Sequence, residues 1–231
     1  EEAARASRYE FLESAAKKLG CSVIATAHNA NDNAETMLFN LTRGGGLKGL
    51  CGIPPKRGNI VRPLLGTTRQ EIEAYNAANA IEYVSDKTNA SDDYTRNVLR
   101  HHVTPVLEGI NPAFFEACTR TVQLLREDEA CLDDMALKAY NEHYRSGAFP
   151  ASKLLELPKP VAMRVLRMIC GRAMSFTHAQ AVYAIASSSE YRSTDISGMR
   201  VVCDRGVLYF GREYSVPESF ELKIGAQQLI P

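Results

Sequence analysis

The sequence predicts an α/β fold, with an incomplete parallel sheet first and then a mainly helical second domain that carries a small β-hairpin. A helical pattern, a short apolar run and a second helical pattern follow one another over residues 1–43. This order is typical of parallel sheets with helical crossovers. From residue 112 onward the patterns are mainly helical. Two apolar runs, 199–203 and 207–211, flank Asp204-Arg205-Gly206, which is a hairpin signal.

Composition indicates an ordinary globular protein. The 231 residues are enough for one large or two ordinary domains, with 45% hydrophobic and 23% charged residues. No apolar run approaches the roughly 20 residues of a membrane span, and no secretory signal opens the chain. The six cysteines are scattered without metal-ligand spacing, which favours reduced thiols in a cytoplasmic protein and predicts no metal site. The formal net charge is zero, so nucleic-acid binding would need local basic faces.

The first element is a helix over residues 1–19. Apolar residues recur at helical spacing from Tyr9 to Leu19, and Gly20 follows as a stop. Arg5 and Arg8 fall on the first half of this helix, where they form either a solvated basic face or a binding surface.

The first strand-to-helix junction presents the best candidate site. The apolar run 23–27 has the length of a buried strand and stops at His28, and ligands in open α/β sheets lie beyond the carboxyl ends of strands. Asp32 and Glu35 are three apart in the first helical turn, so they share a face near the positive helix end. Arg43 closes the helix. Each residue alone is as well explained by a structural role; the combination predicts a site.

A glycine-rich loop follows over residues 44–59. It opens with Gly44, Gly45 and Gly46 and contains three further glycines and two prolines. Because the loop is long for a compact domain, we predict a flexible arm over the site, with Arg43 at its base and Lys48 reaching phosphate. Plain disorder is the alternative.

The next elements complete the first domain. A short strand over 60–65 contains Arg62 and breaks at Pro63, and Thr68-x-x-Glu71 is a capping box that opens a helix to about Asn79. Residues 81–84 are predicted to return as a strand.

Two arginines stand one helical turn apart after a polar loop over 85–94. Arg96 and Arg100 form a stripe that suits phosphate. The alternative is internal ion pairing with Asp86, Asp92 and Asp93.

The second half begins at a clean boundary. Asn111 can cap a long helix, with Pro112 at its first position. A further helix over 160–172 is basic, with Arg164 and Arg167 either contacting a partner or simply solvated. Thr177-x-x-Gln180 is predicted to open another helix. The predicted domains are 1–108 and 109–215, with a tail or linker over 216–231.

Several motifs together resemble one family. They are Ala27-His28-Asn29-Ala30-Asn31-Asp32-Asn33-Ala34-Glu35-Thr36, Arg43-Gly44-Gly45-Gly46, Gly49-Leu50, Arg62-Pro63-Leu64-Leu65, Asp86-Lys87-Thr88-Asn89 and Arg96-Asn97-Val98-Leu99-Arg100. In this order they resemble the tRNA(Ile)-lysidine synthetases, members of the PP-loop ATP-pyrophosphatase group. That resemblance implies an adenine nucleotide alpha hydrolase-like catalytic domain followed by a tRNA-binding helical domain.

The resemblance implies a carbon–nitrogen ligase. ATP with Mg²⁺ would adenylate the wobble cytidine of tRNA(Ile), and L-lysine would then displace AMP to form lysidine. Asp32 and Glu35 would hold the lysine amine, Arg43 and the glycines would stabilise the intermediate, and His28 would position a reactant. Contacts to tRNA are expected from basic side chains, namely Arg5, Arg8, Lys48, Arg62, Arg96, Arg100, Arg164 and Arg167. A homodimer is left open.

One departure from the family affects this expectation. The Ser-Gly-Gly-x-Asp-Ser phosphate loop of the family occurs nowhere in the sequence. We therefore expect a fragment that lacks an N-terminal segment and is inactive alone. A thiolating PP-loop enzyme is a second hypothesis, which the lack of a close cysteine pair disfavours. A non-catalytic tRNA-binding fragment is a third.

Overall fold

The computed structural model describes residues 2–84, 95–171, 174–188, 190–196 and 198–211, with side chains from Ala6 onward. The predicted tail and the Asp86-to-Asn89 motif lie outside these residues. Contacts divide the chain into two compact units, Glu1–Ala130 and Cys131–Pro231. The division lies inside a helix, beyond the boundary that the sequence predicts at residue 108.

The first unit alternates helices with very short strands. Its helices are α1 (Glu2–Lys18), α2 (Ala30–Thr42), α3 (Leu47–Leu50), α4 (Arg69–Ala78), α5 (Thr95–Val98), a π-helix (Leu99–Val103), α6 (Thr104–Ile110) and the start of α7 (Phe114–His143). Its strands are β1 (Ile24–Ala25), β2 (Lys56–Arg57) and β3 (Ile60–Val61).

A small sheet in the order β1-β3-β2 lies under α1. β1 runs parallel to β3 with Ile24 opposite Ile60, and β2 pairs antiparallel with β3. Ile24, Ile60 and Ala16 of α1 are buried together, with Tyr9 and Leu12 packed against them. The apolar stripe of α1 thus covers the strand that leads to His28.

Helix α2 begins at a cap that the sequence analysis did not predict. The Asn29 side chain accepts the Asp32 N–H at 3.0 Å, and the Asp32 carboxylate accepts the Asn29 N–H at 3.0 Å. This reciprocal capping box starts the helix at Ala30. Glu35 is therefore the sixth helical residue and lies in the second turn, not the first.

The predicted strand over 81–84 is wrong. These residues are irregular and exposed, and Val84 is 97% accessible. The β-favouring side chains Ile81, Tyr83 and Val84 have no apolar layer to pack against, so side-chain preference alone does not produce a strand. The helix before them is confirmed, because Thr68 and Glu71 form the predicted capping box.

The second unit packs helices against an antiparallel sheet. It contains the end of α7, α8 (Ala151–Glu156), α9 (Lys159–Cys170) and α10 (Phe176–Ala186), with β4 (Ala148–Pro150), β5 (Arg192–Ile196), β6 (Met199–Asp204) and β7 (Val207–Gly211). The sheet order is β4-β7-β6-β5. β6 and β7 pair directly on either side of Arg205 and Gly206.

The core of this unit is a single apolar cluster. Val161, Val165 and Leu166 of α9 are fully buried among residues of α10 and the sheet. α10 is capped by Ser175 with His178, so the predicted cap at Thr177 lies two residues too far along the chain. Among the described helices, none is both long and apolar enough to span a membrane.

Candidate active site

A polar cavity of about 330 Å³ opens where β1 ends. It lies between the first part of α1, the junction from β1 to α2, and the segment formed by α5 and the π-helix. Its lining residues are Arg8, Tyr9, Leu12, Thr26, Ala27, His28, Asp32, Glu35, Arg96 and Arg100. This is the position that parallel α/β sheets use for ligands, at the carboxyl end of a strand.

Two carboxylates and one guanidinium form the polar centre of the cavity. Arg100 binds Glu35 in a bidentate pair, with Nε 2.7 Å from Oε1 and Nη2 2.9 Å from Oε2. The same Nη2 lies 3.3 Å from Asp32 Oδ1. A planar guanidinium suits this two-point geometry better than a point charge does. The alternative of internal ion pairing therefore holds for Arg100, with partners on α2. The predicted partners Asp86, Asp92 and Asp93 lie outside the described residues.

Burial and pairing act in opposite directions on Glu35. The carboxylate is almost fully buried, and this desolvation raises the pKa of Glu35. Hydrogen bonds and charge from Arg100 lower it, while the Asp32 charge raises it and Arg96 lowers it slightly. The pKa of Arg100 is raised, chiefly by its hydrogen bonds to Glu35. Glu35 therefore takes up a proton more readily than an exposed carboxylate does.

Asp32 has two separate functions in the fold. One carboxylate oxygen accepts the Asn29 N–H in the helix cap, and the other faces Arg100. Its side chain is 29% exposed, against 4% for Glu35. Asp32 is therefore the carboxylate that a ligand in the cavity reaches first.

His28 is oriented by its neighbour on the strand. Its Nδ1 lies 3.0 Å from Thr26 Oγ1. His28 is also one of the residues that line the cavity. Sequence reasoning missed Thr26, although its position two residues before His28 is a usable signal.

A second, smaller polar cavity of about 190 Å³ shares the same three charged groups. Asp32, Glu35 and Arg100 line it together with Asn29, Asn31, Arg69, Thr104, Glu108 and Phe115. Asp32, Glu35 and Arg100 therefore lie between the two cavities.

Comparisons with known proteins place this geometry in a family. Residues 1–107 match the family described as "PP-loop domain". A tRNA(Ile)-lysidine synthase of Leifsonia xyli subsp. xyli is 36% identical over 222 residues, covering 91% of this chain and 67% of that protein.

The chain belongs to the tRNA(Ile)-lysidine synthase family.

Two other relatives have the same name. The Porphyromonas gingivalis protein is 35% identical over 229 residues, which is 97% of this chain and 50% of the relative. The Thermosipho africanus protein is 48% identical over 134 residues, which is 58% of this chain and 31% of the relative. The chain thus spans half or less of the length of these two lysidine synthases.

The structure brings some of the predicted site residues together. His28, Asp32, Glu35, Arg96 and Arg100 line one cavity, and Arg8 lies at its edge. Sequence reasoning from the lysidine synthase family assigned Arg100 to tRNA; here its guanidinium is held by two carboxylates.

Three other basic residues stand apart from this cavity. Arg43 caps α2 and lies over the Phe39 ring at 4.6 Å, roughly 12 Å along the helix axis from Glu35. Arg62 is buried and donates to the Pro54 carbonyl at 2.6 Å, so its side chain holds the loop, and its contact with RNA stays a prediction. Lys48 is exposed on α3.

The predicted flexible arm is a hydrogen-bonded helix end. The Gly44 N–H donates to the Leu41 carbonyl at 3.0 Å and the Gly45 N–H donates to the Asn40 carbonyl at 2.7 Å. This is a Schellman turn, and Gly44 has the positive φ of 71° that the turn requires. Gly46 then caps α3. The glycines therefore have conformational roles that do not require motion.

The basic residues of the second unit differ from one another. Arg164 Nε lies 3.0 Å from Asp133 Oδ1 and is mostly buried, whereas Arg167 is exposed. The side chain of Arg5 lies outside the described side chains. Within the described residues, no group of three or more His, Cys, Asp or Glu side chains could hold a metal ion.

Proposed function

We propose that this chain contributes the amine-binding part of a lysidine-forming active site. In this reaction ATP adenylates the wobble cytidine of tRNA(Ile), and L-lysine then displaces AMP. The observation that carries the proposal is the pair of carboxylates, part-exposed Asp32 and buried Glu35, around the Arg100 guanidinium, beside a cavity at the carboxyl end of a strand. Membership of the lysidine synthase family supports it.

The carboxylate pair suits a cationic amine. Arg100 demonstrates that Asp32 and Glu35 accept charged N–H donors at 2.7 to 3.3 Å. A lysine ammonium carries three such donors, and Asp32 is open to the cavity. We infer that the substrate amine docks beside Arg100 against Asp32, with Glu35 behind it.

The amine must lose protons to act as a nucleophile. A carboxylate with a raised pKa is a better proton acceptor near neutral pH than an ordinary one. Burial raises the pKa of Glu35, so Glu35 is our candidate for this general base. The new C–N bond forms at the activated cytidine carbon, the C–O bond to AMP breaks, and the amine proton passes to Glu35.

Positive charge in the cavity suits the leaving nucleotide. Arg8, Arg96 and His28 all line this cavity. Donors and cations placed where negative charge develops on departing AMP would stabilise the transition state. Mg²⁺, expected with ATP, finds no donor set among the described side chains, and no step here depends on it.

The tRNA would present a single unstacked base to this cavity. Bases in anticodon loops can be splayed into protein pockets, as sequence-specific RNA recognition usually requires. Arg8 and Arg167 are exposed cations that could follow the phosphate backbone. A cytoplasmic protein would meet tRNA, ATP and lysine together.

A chimera tests the proposal. The 231 residues replace the aligned segment of the Porphyromonas gingivalis relative, which matches 97% of the chain. Transfer of labelled lysine to a tRNA(Ile) transcript is measured with ATP. We expect transfer by the chimera, and a loss of at least about 100-fold in Asp32→Asn and Glu35→Gln, the size typical for removal of an acid–base group.

Controls separate chemistry from folding. The tRNA affinity of both variants, measured by filter binding, should stay within about twofold of that of the unchanged chimera. Glu73 is an exposed helix acid paired with Arg69, and Glu73→Gln should transfer lysine at the normal rate. The 231-residue chain alone is run beside the chimera, with no transfer expected. Incorporation of labelled sulfur in place of lysine would overturn the proposal in favour of thiolation, and an active Glu35→Gln chimera would remove Glu35 from the mechanism.

A further inference from the structure

Residues 49–54 are held by three side chains, two from α2 and one from the residue that follows β3. Asn40 of α2 donates from Nδ2 to the Gly49 carbonyl at 2.7 Å. Asn33 of the same helix accepts the Ile53 N–H at 2.8 Å, and Arg62 donates to the Pro54 carbonyl. The polar groups of this loop are therefore satisfied by a fixed frame.

The contact between the loop and Asn33 leaves no free space. Asn33 is 2% exposed, and a Cβ built on Gly52 would lie 2.2 Å from its Oδ1. Gly52 also has a positive φ of 64°, which glycine adopts without strain. The loop backbone thus packs directly on the back of α2.

Arg126 of α7 grips the same loop from outside. Its Nε donates to the Cys51 carbonyl at 3.0 Å, and its Nη2 donates to the Ile53 carbonyl. Burial lowers the pKa of Arg126, and none of the ion pairs among the described side chains includes it. A partly desolvated cation whose only hydrogen-bond acceptors are carbonyl groups lowers the stability of the folded state. Its presence here therefore points to a specific role.

Other parts of the first unit contact α2 on two nearly opposite faces. Residues two apart on a helix point about 200° from each other, so Asn33 and Glu35 face nearly opposite directions. Arg100 holds the Glu35 face, and residues 51–53 hold the Asn33 face.

We propose that Arg126 is a positioning residue that, through residues 51–53 and Asn33, holds α2 so that Asp32 and Glu35 meet Arg100. Arg126 acts on the carboxylates only through the loop and the helix, and it contacts no reactant. Its importance for catalysis rests on the proposed function; its effect on the carboxylates does not.

The test uses the 231-residue chain with ¹³C-labelled glutamate side chains. The titration of Glu35 is followed by NMR in Arg126→Met, in Arg126→Lys and in the matched control Arg120→Met, an exposed arginine of the same helix. We expect the pKa of Glu35 to rise by about half a unit or more in Arg126→Met, because a displaced α2 weakens the Arg100 pair that lowers it. The pKa of Glu35 in Arg126→Lys should lie between the values in Arg126→Met and in the unchanged protein. The Glu35 titration curve of Arg120→Met should match that of the unchanged protein.

A second variant keeps the proposal testable if Arg126→Met fails to fold. Gly52→Ala presses on Asn33 directly and should move the Glu35 titration in the same direction. The proposal would be overturned if a variant that folds has a lower unfolding temperature but an unchanged Glu35 titration. Arg126 would then have a purely structural role. No lysine transfer is measured here, so failure of the proposed function would leave this result intact.

Discussion

The bidentate pair between Glu35 and Arg100 concentrates the electrostatics of the site in one contact. The carboxylate is nearly inaccessible and the guanidinium keeps 27% of its side-chain surface. A buried ion pair stabilises the fold little more than apolar side chains of similar size would. Removal of one partner is strongly destabilising, because it leaves an uncompensated buried charge. Single substitutions here should therefore have large effects whose pH dependence identifies the group involved.

Arg100→Met should raise the pKa of Glu35 further. The variant removes the hydrogen bonds and charge that oppose the effect of burial. A raised pKa means that the folded state binds this proton more tightly than the unfolded state. The Glu35 contribution to the free energy of unfolding is therefore largest in acid and falls as the pH rises through the folded-state pKa.

The resulting loss of stability should depend on pH. We expect Arg100→Met to lose about 3 kcal/mol near neutral pH, where an unpaired buried carboxylate is least tolerated, and less in acid. Urea unfolding over a series of pH values measures this, with Arg192→Met of an exposed pair as control. An equal loss at every pH would mean that packing, not charge, is responsible.

Sequence reasoning found the two acids but not their partner. The three-residue spacing of Asp32 and Glu35 is local information that a helix converts directly into a shared face. Arg100 lies 65 residues beyond Glu35, and no local pattern states which cation a buried acid will meet. For the same reason Arg62, which is buried, and Arg8, which is exposed, look alike in the sequence.

At the scale of elements, the end of α2 depends on glycine conformation. Gly44→Ala should destabilise the first unit by about 1 kcal/mol, because a left-handed backbone is unfavourable for a residue with a Cβ. Gly66, which has open space around it and no positive φ, provides the matched alanine control and should change stability little. Chemical denaturation of both variants gives the comparison, and equal stabilities would exclude a conformational role for Gly44.

The start of α10 provides a test within one helix. Ser175→Ala should lose about 1 kcal/mol, because the serine side chain accepts the His178 N–H at 3.1 Å. Thr177→Ala, at the start predicted from sequence, should be neutral because Thr177 is already inside the helix. Thermal unfolding of the two variants distinguishes them, and a larger loss in Thr177→Ala would place the cap at that residue instead.

Helices were easier to predict than strands for a physical reason. Helical spacing and capping boxes are local, and they located α2 and α4 well. The strands β1 and β3 are two residues long and exist through pairing with each other, which the sequence does not display. The third partner, β2, lies inside the segment that glycine and proline content marked as a loop.

At the scale of the whole molecule, the zero net charge of these 231 residues limits how the proposed tRNA binding could arise. Without a global field, affinity must come from individual exposed cations, each contributing to the salt dependence. Arg167→Gln should lower the slope of log affinity against log salt by about 1. Arg164→Gln should leave that slope unchanged and reduce stability instead, because Arg164 pairs with Asp133.

Filter binding of labelled tRNA at several salt concentrations measures both slopes. Identical slopes in Arg167→Gln and the unchanged protein would show that Arg167 of α9 does not contact the tRNA phosphates. A reduced slope in Arg164→Gln would show that its pair with Asp133 opens on binding.

The π-helix at Leu99–Val103 has a consequence for how the chain tolerates length changes. A π-turn holds one residue more than an α-turn does, so it behaves as a single inserted amino acid that the helix absorbs without a loop. Deleting one residue there would restore a regular helix and rotate Arg96 by about 100° against Thr104. A three-nucleotide deletion in this part of the gene would therefore move one of the two arginines away from the cavity.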